Sequence, residues 1–94
     1  MGATRKGHGR YDIMLTPRNQ QDPGILIEFK KAKNKKELAG AAKKALEQIK
    51  SKSYVMEMRN AGYHGPIFCY GIAAVPGKYV TVVIEMVNTI DFAV

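Results

Sequence analysis

Asp12 in GRYDIMLTP, and Glu28 and Lys30 in GILIEFKKAKN, are the residue types of metal-assisted phosphodiester cleavage. Side chains alternate along a strand, so Leu26, Glu28 and Lys30 leave one face of the second segment and Ile25, Ile27 and Phe29 the other. On the first segment Asp12 and Met14 share a face, and a suitable hairpin register brings Asp12 beside Glu28. Two converging carboxylates with an open coordination position suit Mg²⁺ or Mn²⁺. Mg²⁺ takes oxygen ligands at about 2.0–2.1 Å and keeps several waters. A lysine two residues on, about 6.6 Å along the backbone, reaches a phosphate oxygen or the attacking water and stabilises developing negative charge. The same ExK triplet also reads as an exposed ion pair of little energetic value. With Ile25, Ile27 and Phe29 packed inward, the carboxylate face is expected to look toward a cleft or solvent.

Those residues need a hairpin and a helix to hold them. YDIMLT and GILIEFKK are rich in strand formers and are separated by PRNQQDPG, whose Pro and Gly punctuate a turn. Asn34 and Glu37 have capping-box spacing, and Leu38, Ala41, Ala42, Ala45, Leu46 and Ile49 then recur at helical steps. This narrow stripe of mostly small residues predicts a helix lying close to a sheet. The pattern continues or restarts at Ser53, with Gly62 as its stop. IFCYGIAAV and YVTVVIEMV, joined by PGK, predict a second hairpin. The near-continuous apolar run of the former predicts a strand buried on both faces, and the latter alternates more, through Thr81 and Glu85. The order is β-β-α-(α)-β-β, an α/β arrangement with helices covering at least one face of a small mixed sheet.

A chain of 94 residues with 46% hydrophobic content suits one domain over residues 1–94, with residues 1–9 as a flexible basic arm. No run reaches the ~20 apolar residues of a spanning helix and no secretory h-region opens the chain, so a cytoplasmic protein with no membrane partner is the expectation. Cys69, in an apolar run, reads as a buried small hydrophobe. His8 and His64 stand too far from other ligands for a zinc site or a triad. Lys and Arg outnumber Asp and Glu by 15 to 8, and nine lysines crowd between Lys30 and Lys52. Such a field draws in polyanions, nucleic acid foremost, although lysine-rich helix faces are also plain solvated surface. Lys31, Lys33, Lys43 and Lys44 are the candidate contacts to a phosphate backbone. Arg10 fits either a phosphate contact or a salt bridge at the sheet end.

GRYDIMLTP, GILIEFKKAKN, ALEQIKSKSY and IFCYGIAAVPGKYV, in this order over about residues 9–83, resemble the PD-(D/E)xK nuclease domain found C-terminal to AAA-ATPase-like modules in bacterial proteins. The resemblance implies a restriction-endonuclease-like core and Mg²⁺-dependent (or Mn²⁺-dependent) hydrolysis of nucleic acid, with DNA as the expected substrate. By matching positions it implies Asp12, Glu28, Lys30 and Gln48 as the catalytic set. Metal ligation falls to Asp12, Glu28 and the carbonyl of Phe29, and Tyr54 joins the nucleic-acid contacts. It also implies that the usual leading helix is lacking, which leaves the metal site short of one acidic ligand and part of the sheet open, so a homodimer is expected. The alternative is an inactive nuclease-fold module that binds nucleic acid or mediates oligomerisation.

Overall fold

The computed structural model describes residues 2–5, as backbone, together with residues 12–52 and 54–88. Five strands form one sheet in sequence order: β1 (Gly2–Arg5), β2 (Ile13–Thr16), β3 (Gly24–Lys31), β4 (Ile67–Val75) and β5 (Tyr79–Val87). Neighbours are antiparallel except β3 and β4, which run parallel from Gly24↔Ile67 to Lys31↔Ala74. A parallel pair requires a crossover, and α1 (Leu38–Ser51) followed by α2 (Tyr54–Asn60) supplies it. The edge strand β1 differs from the flexible arm expected over residues 1–9. Gly2–Arg5 pair with the otherwise free edge of β2, where unpaired backbone groups favour an added strand. Residues 6–11, His8 and Arg10 among them, lie outside the described residues.

Local chemistry accounts for the element ends. The Asn34 side chain accepts from the Glu37 amide at 3.2 Å and caps a 3₁₀ turn (Lys35–Glu37) that leads into α1. Glu37 completes the cap one residue early, accepting from the Lys33 amide at 3.2 Å. Gly62 ends α2 with φ 102° and Gly77 turns the last hairpin with φ 77°, both left-handed conformations that favour glycine.

The helices cover one face of the sheet, and the core lies there in two clusters. Beneath the C-terminal half of α1 and α2, Leu26, Ile49, Met58, Ile67 and Cys69 are fully buried, with Tyr54 and Tyr63 beside them. Beneath the N-terminal half, Ala32, Leu38, Ala42 and Ala73 form the second. Between the clusters α1 comes down onto the sheet at Gly71, where a Cβ would lie 2.3 Å from the Ala42 carbonyl oxygen and 2.7 Å from the Leu46 amide. Cys69 is buried as expected, and burial, then the charge of Glu85, pushes its thiol up to about 11, leaving it unreactive.

Arg59 fastens the helical layer to the loops. It is 4% exposed and donates through Nη1 to the carbonyls of Tyr63 (3.2 Å) and Gly65, and through Nη2 to that of Asn88 (3.0 Å). Burial lowers its pKa from the usual arginine value. Tyr63 accepts from the Gly24 amide at 3.1 Å and has the carbonyls of Asp22 and Pro66 in reach.

The inward and outward faces are the reverse of the expected ones. Leu26 and Glu28 point under α1, whereas Ile25 and Ile27 are half-buried and Phe29 is exposed on the other side. In β5 the polar Thr81 and Glu85 point toward the helix, and Val80, Val82, Ile84 and Met86 are exposed. β4 likewise alternates buried and half-buried residues instead of being covered on both faces. The reason is that both helices of the crossover lie on one side. Among the described residues nothing covers the other.

Because Gly71 sets how closely α1 approaches the sheet, Gly71→Ala is expected to lower unfolding free energy by about 1–3 kcal/mol through overpacking. Urea denaturation of the variant beside the parent checks this.

Candidate active site

The β2–β3 register, Ile13↔Ile27 and Met14↔Leu26, carries Asp12 to the position across from Glu28. Asp12 closes the ladder: its amide donates to the Ile27 carbonyl at 3.0 Å, and its Oδ2 accepts from the Phe29 amide at 2.6 Å. Within a strand residue N–H and C=O point to the same edge, so the Phe29 carbonyl also faces the edge where Asp12 sits. Two carboxylates and one backbone carbonyl are thereby gathered at the point where β2 stops pairing with β3.

Glu28 is the unusual member. It is 5% exposed and its Oε2 is buried without a hydrogen-bond partner. Its register partner on β4 is Gly71, the residue on which α1 rests, so the helix that seals Gly71 also covers Glu28. Burial, and secondarily the Asp12 carboxylate, push its pKa from 4.5 up to about 7, while Lys30, a hydrogen bond from the Asp12 backbone and Lys52 pull it back. A carboxylate with an open, buried oxygen beside a second carboxylate fits a hard divalent cation, whose charge would offset both the burial and the repulsion.

The remaining candidates are spread over three surroundings. Lys30 is half-buried on the Glu28 face of β3. Gln48 is half-buried on α1, one helical turn before Lys52, and the position i to i+4 places them on one flank. Lys52 itself escaped the sequence reading: only the electrostatic reach from the end of α1 to Glu28 reveals it, and its i+4 spacing from Gln48 was the available signal. Lys31, Lys33, Lys43 and Lys44 are exposed. Tyr54, expected to touch nucleic acid, is instead 2% exposed in the core, because α2 turns it toward the sheet. Lys50, on the other flank of α1, pairs with Glu85 at 3.0 Å.

The raised pKa of Glu28 has a definite consequence for metal-free protein. Between pH 4.5 and about 7 the folded state keeps a proton that the unfolded state has lost, so folding stability falls as pH rises through that window. The slope is expected to reach at most about 1.4 kcal/mol per pH unit and to vanish in Glu28→Gln, measured by denaturant unfolding in EDTA.

No curated protein and no solved structure is detectably similar to the chain. The family model of the PD-(D/E)XK nuclease superfamily matches residues 4–84, from β1 into β5. That span takes in the Asp12–Glu28–Lys30 cluster, its covering helix and β2, β3 and β4 from first residue to last, and the chain belongs to the PD-(D/E)XK nuclease superfamily.

Proposed function

We propose that this chain hydrolyses phosphodiester bonds of DNA in the cytoplasm, using Mg²⁺ or Mn²⁺ held by Asp12, Glu28 and the Phe29 carbonyl. The observation that carries the reading is the buried, unpartnered Oε2 of Glu28 across the register from Asp12. Left without a cation, such an oxygen is costly. When bound, a divalent cation polarises the phosphate and makes its coordinated water more acidic. Lys30 projects from the same face of β3 and holds the negative charge that develops on the phosphate oxygens. Gln48 orients the attacking water or the substrate by hydrogen bonding, and Lys52 favours the ionised form of Glu28. Lys31, Lys33, Lys43, Lys44 and Arg10 neutralise backbone phosphates, so affinity falls steeply with salt.

Cleavage of supercoiled plasmid, linear duplex, single strands and RNA, with Mg²⁺ or Mn²⁺ against EDTA, tests this. Asp12→Asn, Glu28→Gln and Lys30→Ala are each expected to lower the rate by about a hundredfold or more. With Mg²⁺ well below saturation the rate of the parent is expected to rise with pH as Glu28 of the metal-free protein ionises, and the rise is expected to move to lower pH as Mg²⁺ approaches saturation, because a bound cation favours the ionised carboxylate. A second reading, a nuclease fold kept only for binding, is favoured by one observation: among the described residues no group of three or more Asp, Glu, His or Cys is placed to hold a metal. Its outcome is salt-sensitive binding with no metal-dependent turnover.

We further propose that the chain is a homodimer formed through the open sheet face. Phe29 (50% exposed), Val80 (68%), Val82 (44%), Ile84 (57%) and Met86 (49%) lie there in register. A contiguous apolar face of this kind marks an interaction surface, and aligned packing of two such sheets would bury it. Sedimentation equilibrium is expected to give twice the chain mass, and Ile84→Lys is expected to give the monomer. A monomeric parent at tens of micromolar overturns the dimer.

A further inference from the structure

The linker from β3 to α1 carries positive charge away from the carboxylates toward the far side of the sheet. Across the helix-covered face Glu28 stands in a row with Gly71 and Val83, and Lys30 in the next with Ala73 and Thr81. One row further, past the last ladder pair of β3, are Val75 and Tyr79. Tyr79 is thus four strand residues and two strand spacings from Glu28, about 16 Å. The linker crosses the same gap: it leaves the end of β3, and Lys35 in the 3₁₀ turn places its Nζ 5.3 Å from the centre of the Tyr79 ring. Lys33 and Lys36 are exposed along it. The one carboxylate of this segment, Glu37, already accepts from the Lys33 amide at 3.2 Å. Tyr79 itself is 43% exposed, and the turn before it is well defined. The Lys78 amide donates to the Val75 carbonyl at 2.9 Å around Pro76 and Gly77, residue types that suit a type II turn.

We propose that Tyr79 is a stacking platform for an unpaired nucleotide of the strand whose phosphate lies at the carboxylates, with the lysines of the linker meeting the phosphates between; this course of the strand rests on the nuclease reading above, and the stacking does not. An exposed aromatic ring set among ammonium groups suits a single strand, in which every base offers a π-face and the backbone between bases is anionic. Magnitudes decide whether lysine or base takes the ring. An ammonium over an exposed ring contributes about two- to fivefold in affinity. A base stacked on an aromatic side chain contributes about five- to 150-fold. The base therefore displaces Lys35, and the freed ammonium meets a phosphate. A closed duplex has no such option, because its base faces are stacked on one another. The span agrees, since about 16 Å is roughly five steps of a helical strand at about 3.4 Å each and fewer of an extended one. Unpaired DNA and unpaired RNA share this chemistry.

The test uses Tyr79→Trp, which keeps a ring at the platform and gives the chain its single tryptophan. In EDTA and low salt, indole fluorescence and the anisotropy of a labelled ligand are followed together. The ligands are a single-stranded DNA of about 12 nucleotides, the same sequence as RNA, and a duplex whose two ends are closed by non-nucleotide linkers. Single strands are expected to quench the indole, the stronger quencher being the strand type recognised, and the closed duplex to leave it unquenched at equal occupancy. In the parent background Tyr79→Ala is expected to bind single strands about tenfold more weakly and the closed duplex as before, and Tyr79→Phe to bind both as the parent does. Single-strand binding without quenching, no single-strand binding, or a Tyr79→Ala effect that is absent or shared equally by the duplex overturns the proposal. Quenching in a protein that never cleaves upholds the platform and removes the nuclease reading. Cleavage by a protein whose indole is never quenched does the reverse.

Discussion

The depth at which α1 lies on β4 governs the rest of the molecule. Glycine at position 71 lets the backbone of Ala42 and Leu46 approach the strand more closely than any side chain would allow. That contact falls between the two core clusters, at the level of Glu28 on the neighbouring strand. The same close approach that joins helix to sheet thus strips water from a carboxyl group and raises its pKa. Packing and chemistry are set by one distance. The small residues of the α1 stripe serve the same end, since larger ones would lift the helix and rehydrate Glu28.

The elements were largely legible in the sequence because their signals are local. Asn34 and Glu37 marked the start of the helical region, Gly62 and Gly77 their turns, and the apolar runs their strands. The facing of the strands was not legible. Alternation in GILIEFKK states that Glu28 and Phe29 oppose one another, but which of them meets the helix depends on the side taken by the crossover, a long-range choice. The same gap explains why Thr81 and Glu85 turned out to face α1. Arg59, in a helix of mixed composition, carried no sign that two carbonyls of the loop after its helix and a third from beyond the end of β5 would converge on it. Within the site, Asp12, Glu28 and Lys30 could be singled out by spacing. Lys52 offered only its four-residue spacing from Gln48, because its reach to Glu28 passes through the tertiary fold.

The sheet consequently has two unlike sides. On one, the helices lie against the sheet, and the Asp12–Glu28 pair and Lys30 sit on the covered side. On the other, apolar residues of β3, β4 and β5 stand in register with no charged side chain among the exposed ones of β5. Such a division separates the two sides: charge near the carboxylates attracts polyanions without disturbing an apolar contact on the reverse side. It also means that a substitution on the open face alters the carboxylate site only through the sheet itself.

Among the described residues β5 ends the sheet and has β4 as its partner on one side only. It combines a free edge with a segment, YVTVVIEMV, of β-branched and apolar residues that lacks proline and carries Glu85 as its lone charge. Such segments are the kind that stack into cross-β fibrils when left uncovered. Newly made chains are therefore exposed to a race between correct assembly and self-templated strand addition, and the outcome depends on concentration. Glu85, held by Lys50, is the residue that weighs against the fibril, which gives that surface ion pair a kinetic value well beyond its small contribution to folded-state stability.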